Sequence, residues 1–280
     1  MQERWGFRLL SVRFGDEEFL DGVEITHEEF YTRLAECDEL PKTSQPSPDT
    51  FMKVFNEAVA DGDDVLGIFI SSDLSGTYQS ACLAASDVED ETGKKLYMVD
   101  SRSASIGTAL LIREAVKLRD AGVNVSDIAA ACTEMSKYIK LTAVVGSLKY
   151  LKMGGRLSGA AAFAGTMLHI TPVVRIEDGK VVVIGKTRGK KAAEKLMHDK
   201  LTEDGLSLTR DFMFGHINCS ESLETFINKS LTYISDVNGN VGVSSIGCSV
   251  GTHVGPGTYG IAYVEAAESG MNRESIVKTA

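Results

Sequence analysis

Val65-Leu66-Gly67-Ile68-Phe69-Ile70-Ser71-Ser72-Asp73-Leu74-Ser75-Gly76-Thr77-Tyr78 is the stretch whose reading decides the fold. Val65–Ile70 is a short apolar run without alternation, which reads as a strand covered on both faces, the habit of parallel sheets. It stops at a hydroxyl-rich turn, and a helix is predicted from about Gly76 to Ser86. The same unit recurs downstream. Leu96–Val99 is a second buried strand ending at Asp100-Ser101, and a helix follows near Ser105–Asp120, closing before Gly122. Ser126 is read as the cap of one more helix, and Leu141–Val145 as a further strand. Repeated strand–helix units imply a parallel sheet with helices on both faces.

Upstream, Leu9–Phe14 reads as a strand. Thr26 is placed to cap a helix through Leu34, with Glu29 at the capping-box position. Ser47 caps the next helix with Pro48 at its first position, and Phe51, Val54, Phe55, Ala58 and Val59 share one helical face. Beyond about Gly146–Leu151 the pattern changes. Val173–Ile176, Asp178-Gly179 and Val181–Ile184 spell a hairpin. A basic helix is expected from Gly189 to about Leu201, a strand at Phe212–Ile217, and a helix capped by Ser220 running through Tyr233. Strands at Val241–Ile246 and Tyr259–Val264 close the chain. The sequence therefore predicts two α/β domains: residues 1–148 with a parallel-sheet α/β/α core, and residues 149–280 with a mixed or antiparallel sheet. A ligand is expected between them, where the ends of the parallel strands face the other half.

The 280 residues are ample for a core, and 43% apolar against 24% charged is an ordinary globular composition. The formal charge of −10 speaks against nucleic acid as a partner, since phosphate backbones select an excess of Lys and Arg. It also speaks against adsorption to anionic membranes. Cys37, Cys82, Cys132, Cys219 and Cys248 lack CxxC spacing, so neither a disulfide framework nor a metal site is expected. The N-terminus MQERWGFRLL is not a signal peptide, and no window approaches the ~18 apolar residues of a membrane span. A cytoplasmic protein without stable membrane insertion is expected.

Two hydroxyl-rich turns, Lys42-Thr43-Ser44-Gln45-Pro46-Ser47-Pro48 and Ser71–Tyr78, are each read at a helix N-terminus. Free N–H groups and the helix dipole favour an anion there. A third turn reads Gly251-Thr252-His253-Val254-Gly255-Pro256-Gly257. Hydroxyls and helix amides suit a carboxylate or phosphate head group. They do not suggest a metal or a dinucleotide.

KTSQPS, SSDLSGTYQSA, LKMGGRLSG and GTHVGPGTYG, in that order, resemble the DegV family of bacterial fatty-acid-binding proteins, from about Val12 to about Tyr263. The resemblance implies a two-domain α/β protein that sequesters one long-chain fatty acid and presents its carboxylate to a separate fatty acid kinase, which makes acyl phosphate. It implies no cofactor and no catalysis by this chain. It places Thr43 and Ser75 as the carboxylate-binding hydroxyls and the histidine of the third turn, His253, near the head group. The family opens with a strand, ending in an Asp-Ser pair, and a helix ahead of the stretch equivalent to Leu9–Phe14; here about a turn of helix, Gln2–Trp5, stands in that place.

Each assignment has a plainer counterpart. Thr43 and Ser75 also read as caps, as do Ser44 and Thr77. Gly76 admits close approach of a head group or is an ordinary turn glycine. His253 is a donor to the carboxylate or a structural turn histidine. Arg156 reaches an anion or makes an interdomain pair. The small apolar run Ala160–Leu168 lines an acyl tunnel or is a buried helix. The basic face of Arg188, Lys190, Lys191, Lys195 and Lys200 docks an acidic partner or is simply solvated. Two other functions compete with this reading. A serine hydrolase acting on acyl esters, with Ser75 and His253, lacks a GxSxG elbow. Nucleotide binding lacks GxGxxG and GxxxxGK[ST].

Overall fold

The structure, a computed structural model, describes residues 10–37, 39–159, 170–207, 209–234 and 239–266. The first segment forms a three-stranded antiparallel sheet, ordered β2-β1-β3, from β1 (Ser11–Phe14), β2 (Glu17–Leu20) and β3 (Lys42–Ser44). Helix α1 (His27–Glu36) joins β2 to β3; Thr26 caps it by accepting from Glu29 N at 3.2 Å. Helix α2 (Pro48–Ala60) begins as read, with Ser47 Oγ accepting from Thr50 N.

The decisive stretch becomes β4 (Leu66–Phe69), paired in parallel with β5 (Tyr97–Asp100). Helix α3 (Thr77–Thr92) connects them, running past Ser86 until Gly93 ends it at φ +70°. Strand β5 leads into α4 (Ile106–Asp120) and α5 (Val125–Met135). The pleat sorts the two strands' side chains. Leu66, Ile68, Tyr97 and Val99 pack with α4 and α5, while Val65, Phe69, Leu96 and Met98 pack with α2 and α3. Apolar residues on both faces are what the unalternated runs predicted.

Strand β6 (Ile139–Val144) does not extend this parallel pair. It joins a six-stranded sheet, β10-β9-β11-β6-β7-β8, running antiparallel to β11 and to β7. Its neighbours also cover it on both faces, with Ile139 in one apolar cluster, Ala143 in a second and Val144 in a third. Burial on two faces produces the same apolar run whichever way the partners point. The short α6 (Lys149–Met153), unseen in the sequence, follows. The hairpin of β7 (Thr171–Glu177) and β8 (Lys180–Thr187) turns at Asp178 and Gly179, both at positive φ as a two-residue turn of this hand requires. Helix α7 (Lys190–Asp204), β9 (Phe212–His216), α8 (Ser220–Ser230), β10 (Val241–Ser245), α9 (Cys248–Val254) and β11 (Tyr259–Val264) complete the order.

Two caps differ from expectation. Asn124, not Ser126, caps α5: its extended backbone puts Oδ1 3.0 Å from Asp127 N, and Ser126 Oγ donates to that same oxygen. Ser220 is the first residue inside α8, and Cys219 stands at the cap. The helix also ends at Ser230 rather than Tyr233.

Asp211, 6% exposed, ties the layers together. Its carboxylate accepts from Arg113 Nε at 2.8 Å and Lys117 Nζ at 2.5 Å on α4, and from Asn240 N at 3.0 Å beside β10. Charge-assisted bonds to a desolvated carboxylate are the strong kind. The two cations keep access to water, which limits the cost of losing it. Asp211→Ala is expected to lower the unfolding free energy by about 2–3 kcal/mol. Urea unfolding checks this: the midpoint falls at unchanged m-value, and an unchanged midpoint contradicts the assignment.

Candidate functional site

Thr43 lies on β3, opposite Val12 on β1, and not at a helix N-terminus as read; the cap of α2 is Ser47. The strand holds Thr43 Oγ1 2.8 Å from His253 Nε2. His253 in turn lies in the last turn of α9, not in an open Gly-rich turn, and Gly255 ends that helix at φ +83°. Ser75 does stand just ahead of a helix, before the N-cap Gly76 of α3. Its hydroxyl bonds Thr77 Oγ1 at 2.8 Å and accepts from Thr77 N at 3.3 Å.

A closed circuit of contacts brings these residues together. Gly154 touches His253 so closely that a Cβ there would sit 2.3 Å from Nδ1. Arg156, two residues on, donates from Nη1 to Gly154 O at 2.6 Å and from Nε to Leu74 O at 3.1 Å, binding the Gly154 turn to the Ser75 turn. Gly76 admits Gln45, whose Oε1 would lie 2.3 Å from an added Cβ, and Gln45 Nε2 donates to Ser80 Oγ at 2.9 Å. Gln45 is two residues from Thr43, which completes the circuit. Thr43, Ser75, Gly76, Arg156 and His253 thus share one neighbourhood, although they come from four distant segments.

Helix α9 is anchored to the first segment at its other end. The Asp21 carboxylate accepts from Cys248 N at 2.9 Å and Ser249 N at 2.7 Å. The Tyr31 hydroxyl donates to Ile246 O at 2.9 Å, and Gly251 leaves it room. Gln45 and Gly154 were legible as members of their motifs, but their contacts were not. Asp21 and Tyr31 carried no signal in the sequence. Arg156 turns Nε and Nη1 to carbonyls rather than to a carboxylate. The tunnel reading of Ala160–Leu168, and the opening helix Gln2–Trp5, lie outside the described residues.

The electrostatics of the site centre on His253. Burial, reinforced by the nearby Arg156 cation, pulls its pKa from 6.5 to about 4. The imidazole is therefore neutral at pH 7. Its Nδ1 is buried without a hydrogen-bond partner among the described residues. Neutral donors backed by one cation suit a single carboxylate better than they suit proton abstraction. A separate cluster of metal-ligating types, Asp21, His27 and Cys248, lies at the far end of α9. No helix among the described residues is long and apolar enough to cross a membrane.

The sequence matches the profile of the family described as "Uncharacterised protein, DegV family" over residues 2–266. The chain belongs to the DegV family. A DegV domain-containing protein of Clostridium acetobutylicum is 37% identical over 264 residues, covering 91% of this chain and 88% of that one. Among solved structures, a fatty-acid-binding DegV family protein from Thermus thermophilus superposes with a TM-score of 0.80 at 32% identity, covering 91% of this chain and 90% of that chain. A stearic-acid-binding protein from Eubacterium ventriosum superposes with a TM-score of 0.80 at 28% identity, covering 93% and 91%. The α/β architecture with parallel and mixed sheets is the DegV architecture.

Because the folded state disfavours the imidazolium, any stability held by neutral His253 is fully present above about pH 6.5 and is lost as pH falls towards about 4. In an NMR titration, the His253 ring resonances are expected to shift with a midpoint near 4. In Gly154→Ala, where the added methyl drives the ring towards water, the midpoint should rise towards 6.5. A midpoint of 6.5 in the parent contradicts the buried placement.

Proposed function

We propose that this protein binds one long-chain fatty acid, with the acyl chain enclosed between its two domains and the carboxylate held at the Thr43–His253–Ser75 neighbourhood. The observation that carries this reading is the hydrogen bond from β3 to α9, Thr43 Oγ1 to His253 Nε2, set beside the Ser75-Gly76 turn. A carboxylate leaving water needs donors for both oxygens. Thr43 and Ser75 supply hydroxyls, and the first-turn N–H groups of α3 have no carbonyls of their own helix to bond. Arg156 adds a cation whose own N–H groups are already partly engaged. Leu74 and Val254, the sequence neighbours of Ser75 and His253, belong to one apolar cluster, so an alkyl chain leaving the head group meets apolar surface. Fatty-acid binding by relatives at 28–32% identity supports the same ligand class.

We propose further that the bound acid is presented to a fatty acid kinase. A neutral imidazole whose Nε2–H donates to Thr43 leaves the Thr43 O–H to donate to the head group, and so acts through Thr43 on charge building at a transferring phosphoryl group. The hydrolase reading finds no support in the geometry. Ser75 Oγ bonds Thr77, His253 Nε2 bonds Thr43, and no carboxylate among the described residues orients His253 Nδ1.

Mass spectrometry of the purified protein is expected to give about one fatty acid per chain. Thr43→Ala and Ser75→Ala should each weaken binding ~10-fold or more, since a lost bond to a charged group costs about 1.5–3 kcal/mol. A double variant that binds like the parent removes the site from this neighbourhood. His253→Ala should keep most bound acid but fail to support acyl phosphate formation by a matched kinase. Normal turnover with that variant would take His253 out of the transfer step.

A further inference from the structure

Helix α9 has a second end. Where its C-terminal turn carries His253, its first residue is Cys248, buried at 0% exposure. One carboxylate oxygen of Asp21, one ring nitrogen of His27 and Cys248 Sγ all lie within 4.8 Å of one another. The three come from the loop after β2, the first residue of α1 and the first residue of α9. Each is held in place by contacts within the fold, and the Asp21 carboxylate is tied to the start of α9 itself. Asp21 is fixed by the N–H groups of Cys248 and Ser249, His27 Nδ1 contacts Ser245 Oγ at 3.2 Å, and the thiol is fixed by packing in the apolar cluster of Val12, Phe30 and Ile246.

We propose that Asp21, His27 and Cys248 form a binding site for a zinc-class divalent cation. The argument is one of donor chemistry. Thiolate, imidazole and carboxylate together are the borderline-soft set that favours zinc or cobalt over magnesium or calcium, which take oxygen alone. Three protein donors leave a position for water, and one carboxylate oxygen pair already held by two N–H groups keeps lone pairs for the metal. The present environment of Cys248, desolvated and next to the Asp21 carboxylate, holds its thiol protonated. A dication reverses that balance: the metal–sulfur bond forms as the S–H bond breaks, and the proton leaves to solvent. The ligand atoms need only a modest contraction, and each of the three residues stands in a loop or at a helix start that can supply it. The site is separate from the carboxylate neighbourhood, so it stands or falls independently of fatty-acid binding.

Cobalt(II) is the probe, because thiolate ligation gives a near-ultraviolet charge-transfer band that oxygen and nitrogen ligands do not. The full-length protein, treated first with chelator, is titrated with cobalt and then with zinc. The expected result is one saturable band per chain, displaced by zinc. Cys248→Ser and His27→Ala should each abolish the band and weaken zinc binding by ~10-fold or more, as loss of even an outer-sphere partner does. Cys219→Ser should leave both intact, which separates Cys248 from the other thiols. Far-ultraviolet circular dichroism confirms that each variant is folded, and His27, on the helix surface, is the substitution that leaves the core untouched. Absence of the band in the parent overturns the proposal, as does a band that survives either substitution.

Discussion

The site depends on keeping one imidazole dry. His253 gains its hydrogen bond to Thr43 only while β3, the Gly154 turn and α9 hold together, and each of those would relax if the ring were charged and sought water. The glycine at 154 is what makes the enclosure possible, since any side chain there would collide with the ring. Arg156 fastens the same turn through Gly154 O, and its positive charge adds to burial in disfavouring the imidazolium. One guanidinium thus fastens two turns and adds to the burial that keeps the ring between them neutral.

That arrangement has to be built from parts of the chain far apart in sequence. The β1–β3 pairing fixes Thr43 against Val12, and Asp21 and Tyr31 seize the start of α9. Beyond the C-terminus of α9, β11 lies between β6 and β9, so the strand that follows α9 is locked at the centre of the six-stranded sheet. Helix α9 is short and would have no stability alone. It exists because both its ends are tied to elements that do.

The sequence shows the elements better than their partners. The strands at 66–69, 97–100 and 259–264, the caps Thr26 and Ser47, and the Asp178-Gly179 turn follow from local chemistry, and they are where that chemistry put them. The errors share a cause. Strand β6 reads as one more parallel strand because burial on two faces erases the alternation that would have shown its direction. Thr43 reads as a helix start because Ser47 and Pro48 follow closely, while the strand pairing that claims it lies with residues 11–13. His253 reads as a turn residue because a two-turn helix between glycines has no periodicity to detect. The circuit through Gln45, Gly154 and Leu74 O is made of long-range contacts, and nothing local announces such contacts.

The way Arg156 is used bears on how tightly an anion would be held. A guanidinium free to form a bidentate pair grips a carboxylate strongly and releases it slowly. Here two of its nitrogens are turned to carbonyl oxygens, so the cation acts on the site chiefly through its field. Field stabilisation scales with the charge of the guest. On the reading proposed above, a head group that gains a phosphoryl group gains negative charge, and its stabilisation by Arg156 rises, while the hydroxyls of Thr43 and Ser75 treat both states much alike. Neutral donors near the head group and one partly engaged cation behind them favour the more highly charged state, and favouring that state is what a presenting protein needs in order to assist transfer rather than merely store its ligand.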